Sequence, residues 1–168
     1  MVVIVMGVSG AGKTTVGAAL AESLGWEFLD ADEFHPAENV AKMTAAIPLS
    51  DADRGPWLDR LNGELRARET HGASAVLACS ALKDAYRCRL MKGMAEARLV
   101  YLKGSIDFIR ARMAARKHQY MPAALLESQF ATLEPPTDAL VVDAELAVPD
   151  AVERIRSGLA RTDPARRP

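Results

Sequence analysis

Gly7-Val8-Ser9-Gly10-Ala11-Gly12-Lys13-Thr14 decides how this chain is read. The octet fills the pattern GxxxxGK[ST] at every constrained position. Its glycines let the backbone curl so that successive N–H groups face an anion, and the helix that follows adds its positive N-terminus. Lys13 is placed to reach the β- and γ-phosphates of ATP, and the Thr14 hydroxyl to ligate Mg²⁺. Gly7, Ser9, Gly10, Ala11, Gly12, Lys13, Thr14 and the adjoining Thr15 are therefore the candidate nucleotide-binding residues. The competing reading is a glycine-rich turn without a ligand. The flanks argue against it, because an apolar strand precedes the loop and an amphipathic helix follows.

Working outward, Val2–Met6 is a continuous β-rich run of the kind buried on both faces of a sheet. Val16, Leu20 and Leu24 recur at helical spacing, and Gly25 closes that helix. Glu27–Leu29 predicts a second strand ending in Asp30 and Asp32, and Pro36 suits the first turn of a helix running to about Ala46. Further helices are predicted over Asp51–His71, Asp84–Met91, from Ser105, over Ala123–Leu133 and through Val148, Val152, Ile155 and Leu159. Strands are predicted at Ser74–Cys79, Arg98–Leu102 and Ala139–Val142. Strands alternating with helices indicate an α/β protein in three layers, a parallel five-stranded sheet flanked by helices.

With 168 residues and neither a repeat nor a linker, the chain reads as one domain over residues 1–160, with residues 161–168 expected to be a disordered tail. A formal net charge of −1 gives no basic field for nucleic acid or an anionic membrane. The apolar run Met1–Met6 is far too short to span a bilayer and lacks a basic region before it. Cys79 and Cys88 lack a CxxC spacing and read as reduced thiols of a cytoplasmic protein.

A Walker A loop alone does not define a reaction. Nucleotide switches carry DxxG and NKxD, and neither occurs here. Asp30 and Asp32 fall at the carboxyl edge of the sheet, where open α/β proteins bind ligands. Parity places both side chains on one side of an extended segment. One carboxylate is suited to orient an acceptor hydroxyl and take its proton, the other to serve Mg²⁺. The competing reading makes them loop or N-cap aspartates. Arg112 and Arg116 share a helix face ahead of His118, Gln119 and Tyr120. Residues of about 112–122 would form a lid bringing arginine over the phosphates, unless they simply end a solvated helix.

The stretches between these landmarks resemble the gluconate kinase family. They are Phe28-Leu29-Asp30-Ala31-Asp32 with His35-Pro36 and Asn39, then Asp51-Ala52-Asp53-Arg54-Gly55-Pro56-Trp57-Leu58, and Cys79-Ser80-Ala81-Leu82-Lys83 with Tyr86-Arg87. Tyr101–Gly104, Arg112 with Arg116 and His118, Leu126–Phe130 and Leu140–Asp143 complete a likeness that runs to about Leu159. The resemblance implies an NMP-kinase-like fold, Mg²⁺, a closing lid, a homodimer, and ATP-dependent phosphorylation of D-gluconate at its 6-hydroxyl. It implies Asp32 as catalytic base, with Arg54, Lys83 and Arg87 as anchors for a sugar acid and His35 and Gln129 as further contacts. Arg116 would be the lid's phosphate ligand and Arg112 an adenine-side contact. Thr14, and Asp30 beside it, would hold the metal, since Cys79-Ser80 stands where many P-loop proteins carry a second aspartate.

A shikimate-type kinase shares this layout but normally carries a glycine triplet where Cys79-Ser80-Ala81-Leu82 stands. A nucleoside-monophosphate kinase and an ATP-binding regulator without turnover are the remaining alternatives. His35 could instead cap a helix, Trp57 read as core, Cys79 as a small buried strand residue, and His71 as a helix-end solvent group.

Overall fold

The computed structural model describes residues 1–45, 47–115 and 123–162. Five strands, β1 (Val2–Met6), β2 (Glu27–Asp30), β3 (Ala75–Ala78), β4 (Ala97–Lys103) and β5 (Leu140–Asp143), form one sheet in the order β2-β3-β1-β4-β5. Every pairing is parallel, with Val2 aligned to Ala75 on one side and to Ala97 on the other. All the strands therefore end at the same edge, and the loops that leave them converge there.

The two faces follow from strand parity. Val3 and Val5 point to a core built with Val16, Leu20 and Ala21 of α1 (Lys13–Leu24), Ile109 of α5 (Ile106–Ala114), Leu126 of α6 (Ala123–Thr132) and Ile155 of α7 (Val148–Thr162). Val2, Ile4 and Met6 point the other way, to Leu58, Leu61 and Leu65 of α3 (Asp51–Thr70) and Leu90 of α4 (Asp84–Leu90). A helix α2 (Ala37–Thr44) lies between β2 and α3 in the chain. The central strand is wholly buried, as its unbroken apolar run requires. Leu65 is fully enclosed, so truncating it to alanine would cost about 2–5 kcal/mol.

The predicted five-stranded parallel sheet flanked by helices is the observed fold. Most other boundaries differ by a residue, and three differences bear on the site or the chain end. Pro36 is the N-cap of α2 rather than part of its first turn, and the helix ends at Thr44. Helix α7 continues through Thr162, so residues 161 and 162 belong to it and not to a disordered tail. The chain also leaves the extended state directly after Asp30, because Ala31–Phe34 winds into a 3₁₀ turn.

Candidate active site

The glycine-rich loop follows β1 and opens α1. Gly10 and Gly12 have φ of 84° and 98°, conformations a side chain rarely adopts, and Gly12 is the N-cap of α1. The loop is also pressed from outside. A Cβ at Gly10 would meet Met113 at 2.8 Å, and one at Gly12 would meet the Arg112 guanidinium at 3.1 Å. The Lys13 ammonium donates to the Val8 carbonyl at 3.1 Å. Burial lowers its pKa from the usual lysine value, opposed by the nearby Cys79, Asp32 and Asp30. A desolvated cation at the mouth of a ring of N–H groups favours an anionic partner. Thr15 lies exposed on the first turn of α1.

At the end of β2 the Asp30 carboxylate accepts from the Thr14 hydroxyl at 3.0 Å and from the Asp32 backbone N–H at 3.1 Å. The expectation that Asp30 and Asp32 share one side of an extended segment is corrected by the 3₁₀ turn. They are brought together differently, Asp30 capping the turn whose second residue is Asp32. Asp32 stays exposed, with the His35 Nε2 at 3.9 Å from its carboxylate. The His35 side chain is enclosed, stacking on Trp57 at 4.1 Å between ring centroids. Burial lowers its pKa, with Asp32 opposing and Arg54 reinforcing the shift. Trp57 is core, as expected, and its indole N–H donates to the Ala31 carbonyl at 2.9 Å. The stack thus steadies both the 3₁₀ turn and the histidine.

Asn39 is among the few buried polar residues, and its amide reaches the Asp53 carbonyl at 3.0 Å and His35 Nδ1 at 3.3 Å. Ser50 and Asp53 form a reciprocal capping box at the start of α3. Asp53 also takes a bond from Lys42 at 2.7 Å, and these donors hold its carboxyl down to about 2. Arg54, one residue on, donates to the Leu49 carbonyl and lies 5.6 Å from the centre of the Tyr86 ring.

Across from it, after β3, Lys83 donates to both oxygens of Asp51 at 3.0 and 2.9 Å, and the Tyr86 hydroxyl donates to the same carboxylate. Arg54, Lys83, Tyr86 and Asp51 therefore form one cluster. Arg87 is 4% exposed and holds the loop preceding α4, its guanidinium donating to the carbonyls of Ala81 and Leu82 and to Asp84. That loop contains Ala81 at φ 44°, the only described non-glycine residue with positive φ. Cys79, at its base, is buried with its thiol pushed up to about 12 by desolvation, so it supplies no charge in place of a second aspartate.

Arg112 donates to the carbonyls of Ala11 and Ala144, which places it against the outer side of the phosphate loop. Gln129, expected on the acceptor side, accepts from the Ser9 backbone N–H at 2.7 Å and so sits on the phosphate loop as well. Arg116 and His118 lie outside the described residues. Among the described residues no three His, Cys, Asp or Glu side chains form a metal cage. Thr14 and Asp30 instead offer the small set of hard oxygens that suits a magnesium ion shared with phosphates. No described helix is long and apolar enough to cross a membrane.

Sequence reasoning quoted Asp51, Asn39 and Tyr86 without giving them roles. Tyr86 had a signal, one helical turn beyond Lys83. Asn39 had none, since a lone asparagine on a polar helix looks exposed.

The chain matches the AAA domain family over residues 2–136. It is 43% identical to a probable gluconokinase of Mus musculus, across 94% of this chain and 97% of the mouse protein. It is 47% identical to a gluconokinase of Gluconobacter oxydans, across 80% of this chain and 76% of that protein. A crystal structure of a gluconokinase from Sinorhizobium meliloti superposes with a TM-score of 0.86 at 40% identity, over 95% of this chain and 91% of that one.

Proposed function

The chain belongs to the gluconokinase family, and from that premise we propose that it transfers the γ-phosphoryl group of ATP to the 6-hydroxyl of D-gluconate, giving 6-phosphogluconate. The observation that carries the reading is the meeting, at one sheet edge, of the Lys13 loop, the paired Asp30 and Asp32, and the Arg54–Lys83–Tyr86 cluster. The first binds phosphates, the second serves a hydroxyl, and the third suits the carboxylate and hydroxyls of a sugar acid.

The loop N–H groups and Lys13 hold the phosphates and neutralise charge that develops on the transferring group. Thr14 and Asp30 would hold Mg²⁺, which draws charge from the phosphate oxygens when bound. Asp32 orients the 6-hydroxyl and accepts its proton as the hydroxyl oxygen bonds to the γ-phosphorus and the bond to the β–γ bridging oxygen breaks. His35, steadied on Trp57, sets the Asp32 side of this pocket. Arg54 and Lys83 bind the acid, and Arg87 serves it through the loop it holds. Arg112 and Arg116 belong to the ATP side, with residues 112–122 as the lid of a single domain over residues 1–160. A homodimer in the cytoplasm completes the proposal, drawn from the family resemblance.

Coupled ADP release with gluconate, shikimate, AMP or no acceptor tests it, with the product identified by phosphorus NMR. Turnover confined to gluconate and a phosphate on the primary carbon are expected. Release that is indifferent to gluconate, or driven by shikimate or AMP, overturns it.

A further inference from the structure

The segment from Gln129 to Glu134 touches the loops of both substrates. At one end the Gln129 side-chain oxygen accepts from the Ser9 N–H at 2.7 Å, inside the phosphate loop. At the other, the Glu134 N–H donates to the Leu82 carbonyl at 2.9 Å, and the Glu134 carboxylate accepts from the Asp84 N–H at 2.6 Å. Those two bonds bracket Lys83, the residue that presents its ammonium to Asp51 and Tyr86.

Between the two ends the segment is anchored. Leu126, one turn before Gln129, is 2% exposed within the same core as Val8, Ala11 and Ile109, and Phe130 and Leu133 pack against that core. The Leu133 N–H donates to the Gln129 carbonyl at 2.9 Å, which carries the last turn of α6 to the residue before Glu134. A described backbone bond made directly from the phosphate loop to the segment after β3, from Gly7 to the Ser80 carbonyl, is long at 3.4 Å.

We propose that Gln129 and Glu134 are positioning residues that couple the phosphate loop to the Leu82–Asp84 loop, so that filling one substrate site sets the geometry of the other. This rests on the gluconokinase reading above. Ser9 can keep the curl that aims its neighbours at the phosphates only while its own N–H is satisfied, and Gln129 satisfies it from a rigid helix. Glu134 does the same for the first N–H of α4, and its charge suits a helix start. A shift of the phosphate loop on nucleotide binding therefore pulls on the loop that carries Lys83. By linkage, gluconate must then alter nucleotide affinity by the same factor.

The test is calorimetric titration of the β,γ-imido analogue of ATP with Mg²⁺, with and without saturating gluconate, beside turnover in the ADP-release assay. In the wild type, gluconate should change the analogue's Kd by about fivefold or more. Gln129→Met matches the length but has no oxygen acceptor. It and Glu134→Met, which likewise removes the oxygen acceptor, should each bring that ratio to within about twofold of unity, with kcat falling more than either KM. Gln129→Glu keeps an acceptor and should restore the ratio while weakening nucleotide binding through its charge. A role in stability alone would shift the melting temperature and leave the ratio untouched. If the wild type turns over gluconate but shows no coupling, or Gln129→Met keeps it, this proposal fails while the assigned activity stands. If the wild type does not phosphorylate gluconate, both fail together.

Discussion

The Thr14 hydroxyl donates to the Asp30 carboxylate across 3.0 Å, joining the first turn of α1 to the end of β2. Two hard oxygens are thereby kept side by side at the mouth of the phosphate loop. Asp30→Asn retains the reach but loses the charge, so the Mg²⁺ concentration giving half-maximal turnover should rise about tenfold, and excess Mg²⁺ should recover part of the rate. An unchanged Mg²⁺ dependence would remove Asp30 from the metal's surroundings.

Asp32→Asn should act on the chemistry instead. Its carboxylate is exposed and free of the hydroxyl that engages Asp30, so loss of basicity should lower kcat about 10²–10⁴-fold with little change in ATP affinity. Turnover within a factor of about three of the wild type would leave positioning and electrostatics as the whole mechanism.

Lys13→Ala removes an ammonium that burial already places at a disadvantage, so the melting temperature should hold or rise slightly. ATP turnover should fall about 10²-fold or more, because the lost charge is one aimed at the transferring phosphate. A melting temperature several degrees lower, with activity retained, would make Lys13 a structural lysine.

Arg54→Ala should raise the KM for gluconate well over tenfold, the loss of one charge-assisted contact being roughly 1.5–3 kcal/mol. The KM for ATP should stay put, since Arg54 lies with Tyr86 and the Leu49 carbonyl and not on the phosphate loop. A raised KM for ATP with gluconate unaffected would move this arginine to the other substrate.

His35 gives a pH signature. Its folded pKa is lowered by burial from the ordinary 6.5, so below that value the unfolded chain takes up a proton that the folded chain resists. Stability should therefore fall as the pH drops from about 7.5 to about 5.5, and the contribution vanishes above that range, where neither state is charged. Asp32 opposes this shift and Arg54 reinforces it. His35→Phe keeps the stack on Trp57 and should flatten the melting temperature over that interval. An equal slope in both proteins would assign the acid sensitivity to another group.

What was legible in the sequence was whatever has a period or a tight pattern. The Walker octet, the buried run Val2–Met6 and the heptad-like leucines of α3 reached their places because backbone geometry alone demands them. Asp30 and Asp32 were found as a pair but given the wrong geometry, since nothing in Ala31-Asp32-Glu33-Phe34 announces a 3₁₀ turn. Arg87 is expected, beside Lys83, as an anchor for a sugar acid, and it is buried instead. Its burial depends on the left-handed Ala81 turning two carbonyls toward it, which no residue type there predicts. Gln129 reads from sequence as an acceptor-side contact, because its bond with Ser9 exists only once the helices have packed.

Strand β1 precedes in the chain both strands that flank it, β3 and β4, and it is the most deeply enclosed of the five. On a ribosome its fully apolar run would emerge long before Ala75 and Ala97 exist to pair with Val2, leaving both of its hydrogen-bonding edges open. Nascent chains should therefore be unable to close the sheet, or shape the phosphate loop, until β4 has been synthesised. Protection of a stalled nascent chain from protease should appear abruptly at that length, and a chaperone that shelters an extended apolar strand would be needed most before it.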